Sequence, residues 1–225
     1  AAPPPMGKKA VRADASTLAF EMVSGQRRVF TSCGPGYLFG SDLSLVGRQT
    51  SSHCAVYIED RNSSEFSSVE GWFKASKKMI INGPRTVPKE ISNHEGAGIF
   101  EGAHDGFVQS YGLTHVRKLK LSQDGHTFEG EDLMIAIEDS HKRQFDKVSK
   151  KNRNDQLSVN AAFHLHPNVV VRLDQENNRI SLALKNGEVW IFNHGSDLRL
   201  QLEPTIFFEN GLFEPLESKK LILSA

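Results

Sequence analysis

Apolar and polar residues alternate in short runs along most of this chain, and turn signals separate the runs. Residues 18–23 and 27–31 flank Ser24-Gly25-Gln26, the composition of a tight hairpin. Val56-Tyr57-Ile58 reads as a strand that follows His53. Residues 113–121 alternate most clearly, with Leu113, His115, Arg117, Leu119 and Leu121 on one face and Val116 and Lys118 on the other. Gln123-Asp124-Gly125 then turns the chain, and residues 127–137 return it. Phe163-His164-Leu165-His166-Pro167 is a short strand stopped by proline. Residues 169–173, 180–184 and 189–192 form a meander with turns at Asn177-Asn178 and Asn186-Gly187, and residues 198–202, 205–208 and 221–223 close the chain. Long runs at 3.6 spacing are missing, and only residues 42–47, after an N-cap-like Ser41, read as a helical turn. The pattern predicts an all-β fold with little helix: an antiparallel β-sandwich, as a large two-sheet or supersandwich structure.

Two stretches fall outside this pattern. Residues 1–15 are rich in Pro, Gly and Ala and read as a flexible lead-in to one domain over 16–225. Residues 141–157 are polar and charged and read as a mobile loop between two halves of the sheet system. The basic run inside it is either a solvated loop or a contact for an acidic glycan.

Composition narrows the partners. Lys plus Arg and Asp plus Glu both number 27, so the formal net charge is zero, which makes a poor general nucleic-acid binder. A preference for an anionic substrate has to come from a local patch. No apolar run approaches the ~20 residues that span a bilayer. The start, Ala1-Ala2-Pro3-Pro4-Pro5, has neither an initiator Met nor the apolar core of a signal peptide, which suits a chain cut from a longer one. Cys33 and Cys54 are expected to be idle thiols, able to pair only if neighbouring strands join them.

Histidines are the candidate chemical groups; there are nine. His53 stands at a loop-to-strand junction after the Gly-rich loop 34–40, where an imidazole can face a cleft and transfer a proton or bind metal. His104 lies in Glu101-Gly102-Ala103-His104-Asp105-Gly106-Phe107. His164 and His166 share one strand face, about 7 Å apart by strand rise, a spacing that serves one metal, one sugar carboxylate, or two unrelated contacts. His-Glu-x-x-His and Cys-x-x-Cys are absent, so a zinc site has to be assembled from distant segments, such as His53 and His104 with one carboxylate. In Gly34-Pro35-Gly36-Tyr37-Leu38-Phe39-Gly40 the third glycine comes one place too late for a dinucleotide loop, and no βαβ pattern follows. There is no Gly-x-Ser-x-Gly elbow and no Walker loop. Trp72 and Trp190 are each able to stack on sugars, and core packing explains Trp190 equally well.

Three segments resemble the C-terminal β region of heparinase II/III-like proteins. They are Thr50-Ser51-Ser52-His53-Cys54-Ala55-Val56; Ala103-His104-Asp105-Gly106-Phe107 continuing through Tyr111 to Leu119, with its His115-Val116-Arg117; and Phe163-His164-Leu165-His166-Pro167 followed by Gly187-Glu188-Val189-Trp190-Ile191-Phe192 and Leu202-Glu203-Pro204. Their order and spacing match across about residues 15–225. The resemblance implies a β-sandwich joined to an N-terminal helical toroid. It also implies a polysaccharide lyase acting on uronic-acid glycans by β-elimination, and a periplasmic or cell-envelope location in a bacterium. It makes His53 the cleft histidine or a zinc ligand, and His104 a zinc ligand with Glu70 as the accompanying carboxylate. Tyr37, His164 and His166 become the expected contacts to an acidic polysaccharide. Ser51 stands where some relatives place a second histidine, and Phe107 replaces a tyrosine and has no proton to donate.

Two readings follow. In the first, the chain is the β part of a polysaccharide lyase that turns over nothing until the helical toroid completes the cleft. In the second, it is a non-catalytic glycan-binding or structural β-sandwich.

Overall fold

The computed structural model describes residues 1–69, 77–151, 157–174 and 179–225. Its strands pair antiparallel throughout the described residues, so the all-β sandwich expectation holds. The single domain expected over 16–225 divides into two compact units. Ala1–Leu18 with Asn62–Leu157 forms the first, and Ala19–Arg61 with Ser158–Ala225 the second.

In the second unit, β1 (Met22–Ser24) and β2 (Arg27–Phe30) make the predicted hairpin, with Gly25 at φ 57° in its turn. The helical turn expected at 42–47 is α1, Ser41–Val46. A four-stranded sheet contains β3 (Val56–Ile58), β10 (Val159–His164), β14 (Arg199–Phe207) and β15 (Leu216–Ser224) in the order β14-β15-β10-β3. A meander of β11 (Val170–Asp174), β12 (Arg179–Ala183) and β13 (Val189–Phe192) makes the other sheet. The core lies where both contribute: Leu165 and Leu221 pack with Ile180, Leu182 and Leu184, with Val29, Phe30 and Cys54 alongside. Phe20, Phe30, Phe163 and Phe192 close it as a mostly edge-to-face cluster with centroids 5.3–6.2 Å apart. Cys33 and Cys54 are buried and are not joined in a disulfide.

The first unit holds a hairpin of β4 (Glu65–Val69) and β5 (Lys77–Asn82). It also holds a four-stranded sheet of β6 (Lys89–His94), β7 (Ala97–Phe107), β8 (Leu113–Leu121) and β9 (Phe128–Ile135) in sequential order. β8 has the predicted bounds, and its inward face buries His115 and Arg117 as the alternation requires. A short helix α2 (Val108–Tyr111) joins β7 to β8.

One expectation needs correcting. The stretch read as a loop at 141–157 begins as a helix, α3, over Asp139–Ser149, opened by a reciprocal capping box between Glu138 and His141. Residues 1–15 contain a 3-10 turn at Gly7–Ala10 and bury Ala10 and Ala15. The turn at Asn177-Asn178, and Trp72, lie outside the described residues. Among those residues, no helix is long and apolar enough to cross a membrane.

Candidate functional site

In the second unit His53 ends a 3-10 turn, Thr50–Ser52, and starts the run into β3. Glycines set its surroundings. A Cβ on Gly47 would lie 2.8 Å from the Gly34 carbonyl oxygen and 2.9 Å from the Gly36 nitrogen, and one on Gly34 would meet the Phe208 carbonyl at 2.3 Å. The glycine-rich loop is therefore a close-packing device. It leaves Gly47 where its carbonyl oxygen takes the one hydrogen bond of the His53 ring. That bond fixes the proton on Nδ1, because the buried Nε2 has no hydrogen-bond partner. His53 is 4% exposed, and burial, reinforced by the nearby His164, pushes its pKa down to about 4. The ring is neutral near pH 7, with an Nε2 lone pair that no protein group shares and that is shielded from solvent.

His164 lies close to His53 but is committed elsewhere. Its Nε2–H donates to the Ser51 carbonyl oxygen at 2.7 Å, and burial lowers its pKa to about 4. His166, past the end of β10, accepts the Asn168 N–H on Nδ1 at 3.2 Å and packs edge-on against Phe207, with centroids 5.1 Å apart. Tyr37 is 43% exposed on the 3-10 turn Gly36–Phe39.

His104 belongs to the first unit, in a chain of hydrogen bonds that runs through the β7–β8–β9 sheet. The Gly106 N–H donates to His104 Nδ1 at 3.1 Å, His104 Nε2 meets His115 Nδ1 at 3.1 Å, and His115 Nε2 meets Asp132 Oδ1 at 2.7 Å. Asp132 is a carboxylate and can only accept, so His115 donates from Nε2 and accepts on Nδ1. His104 therefore donates from Nε2. Arg117 closes the far end with a fork onto Asp132, Nε to Oδ1 at 2.7 Å and Nη2 to Oδ2 at 2.8 Å, while Nη1 donates to the Leu18 carbonyl at 2.8 Å. Burial lowers His104 to about 3, helped by His115 and Arg117 and opposed by Asp132. Burial works to raise the Asp132 pKa, but Arg117 and His115 outweigh it and hold the carboxyl well below its ordinary range.

Zinc requires an imidazole nitrogen with an available lone pair. The His104 Nδ1 lone pair takes the Gly106 N–H, and its Nε2 carries a proton, so His104 as arranged does not fit a zinc ligand. His53 Nε2 has the lone pair that zinc requires, but it is shielded from solvent. Glu70 lies outside the described residues, and among those residues no three His, Cys, Asp or Glu side chains gather as a metal centre would need. Sequence reasoning placed His115 and Arg117 on one strand face but did not single out Asp132. A buried arginine demands a carboxylate, and the acidic return strand 128–135 was the place to look for it.

The chain belongs to the heparinase II/III-like C-terminal family. That family's model, "Heparinase II/III-like, C-terminal", matches residues 1–225. The chain is similar to FtsZ-localized protein C of Caulobacter vibrioides (strain NA1000 / CB15N), at 25% identity over 212 residues, 93% of this chain and 34% of that protein. It is also similar in structure to heparinase III, with a TM-score of 0.61 and 14% identity, over 94% of this chain and 27% of that one. It thus spans about a third of the curated relative, and the likeness to heparinase III is one of fold.

Proposed function

We propose that this chain is the C-terminal β domain of a polysaccharide lyase acting on uronic-acid glycans, and that His53 is its contribution to the reaction. The observation that carries this reading is the buried Nε2 of His53, left without a partner in a domain where other buried histidines are bonded. β-Elimination needs three things: neutralisation of the uronate carboxylate, removal of the C5 proton, and protonation of the departing O4 oxygen. In its present tautomer His53 offers only a lone pair, so it can act as base or acceptor. Donating to a carboxylate or to O4 falls to groups outside this chain, in the N-terminal helical domain. With a pKa near 4, His53 is a weak base, because burial disfavours its charged form; what it contributes is a lone pair held in a fixed orientation.

The test is absorbance at about 232 nm, where the unsaturated uronate product absorbs, with uronic-acid glycans and the longest natural protein containing this chain. Activity in the long protein that disappears in His53→Ala supports the reading. No product from any glycan with folded protein removes it. The 225-residue chain by itself is expected to give no turnover.

A second reading, a non-catalytic glycan-binding or structural module, draws support from Phe107. It is buried at 1% exposure where the family pattern has a tyrosine. Under that reading the long protein binds glycans and releases no unsaturated product.

A further inference from the structure

We propose that the outward face of α3 is a binding site for acidic polysaccharide, separate from His53. Arg143, Lys147, Lys150 and Lys151 follow one another at i, i+4, i+7 and i+8, which puts them on one side of the helix and its final turn. All four are exposed, and none has an ion pair among the described residues, whereas Lys142 pairs with Asp139 at 3.6 Å. The opposite side, His141, Gln144, Phe145 and Val148, is half-buried.

That inner side is held firmly. Gln144 donates to the Ser110 carbonyl at 3.3 Å, and the His141 carbonyl oxygen sits where a Cβ on Gly112 would come within 2.2 Å of it. The cations are thus presented from an ordered element, which lowers the entropy lost on binding. Cations in the last turn also suit the helix dipole, but Arg143 lies a turn further in, beyond the reach of that explanation.

A polyanion complements this face. Phe145 and Val148 point inward, so the face offers nothing apolar to a bilayer. Zero net charge on the whole chain gives no global pull on any polyanion, so acidic polysaccharide is chosen over nucleic acid on the acidic-glycan reading proposed above, and the oligonucleotide arm of the test separates the two. The inference rests on the acidic-glycan reading above, but its test reads binding and not elimination. If binding persists where no elimination is found, the lyase reading fails and this site stands.

The full 225-residue chain is titrated with polygalacturonate and heparin, and with dextran, phosphatidylserine vesicles and a single-stranded oligonucleotide for comparison. Both acidic glycans are expected to bind at low salt, with affinity falling as salt rises. The variant R143E/K147E/K150E/K151E is expected to lose at least ~10-fold in affinity, and the corresponding four-glutamine variant somewhat less, both with unchanged circular dichroism. Should the glutamate variant fail to fold, the glutamine variant decides. Unaltered glycan binding in the folded variants overturns the proposal, as does binding of vesicles or oligonucleotide in preference to polygalacturonate.

Discussion

The two units both bury histidines, and they treat them in opposite ways. In the first, His104 and His115 have all four ring nitrogens engaged, in a chain anchored by a backbone N–H at one end and by the Asp132–Arg117 fork at the other. In the second, His53 has one nitrogen bonded and one bare, although it is buried almost as deeply. Burial and a lowered pKa are common to both and do not tell a structural histidine from a chemical one. The difference lies in unfinished hydrogen bonding. A buried polar atom without a protein partner costs stability, and a bound water, a ligand or local strain each accounts for one; Ser64 Oγ and Ser149 Oγ stand in the same condition as His53 Nε2.

The broadest effect that sharpens this comparison is that of acid. His53, His104 and His164 have folded pKa values of about 4, 3 and 4, below the ordinary 6.5. Unfolded chains take up protons on these rings near pH 6.5 and the folded chain does not, so the unfolded state holds more protons across the interval. Stability is therefore complete above pH 6.5 and falls toward pH 4, by roughly 1 kcal/mol or more per histidine per pH unit. Urea denaturation at stepped pH reads this directly.

Asp132→Ala comes next. It strands the Arg117 charge at 1% exposure and leaves His115 Nε2–H without an acceptor, and it should cost about 3–5 kcal/mol in the same assay. His115→Leu interrupts the chain and orphans the His104 proton, at about 1–3 kcal/mol. His53→Leu should cost about 1–2 kcal/mol, because it deprives the buried Gly47 carbonyl of its imidazole donor but also removes an unsatisfied nitrogen. A loss at His53 as large as that at Asp132 would erase the distinction between the two groups. Smallest is Glu188→Ala, about 0.5–1.5 kcal/mol by thermal melting. It removes the acceptor that Trp190 Nε1 uses at 2.6 Å and Ser24 also uses, on a partly exposed surface.

Much of the scaffold was legible in the sequence because alternation and turn residues act locally. β8 and the hairpins at Gly25 and Gly187 fall where Leu113–Leu121, Ser24-Gly25-Gln26 and Asn186-Gly187 put them. Longer-range physics decided the rest. β7 was hidden by its glycines, which are there because neighbours come close: a Cβ on Gly106 would meet the Ser63 carbonyl at 2.6 Å. β14 read as two strands around Pro204, yet it is continuous, since it lies at the end of its sheet where a missing N–H is tolerated. α3 looked like a loop because it buries no residue fully, and its capping box and its seat against Gly112 supply what propensity did not. At the candidate site, His53 was visible as a residue at a junction. That its Nε2 is bare, and that His104 is bonded on both sides, depended on partners 6 and 11 positions away, Gly47 and His115.

The division between the two histidine groups is tested most directly by long-range ¹H–¹⁵N spectra of the histidine-labelled chain near pH 7. Neutral rings are expected throughout this set: His104 and His115 carrying their protons on Nε2, and His53 carrying its proton on Nδ1 with an Nε2 shift of a lone pair without a hydrogen bond. An Nδ1 proton on His104, an imidazolium in the His104–His115 pair, or a hydrogen-bonded Nε2–H on His53 would contradict it.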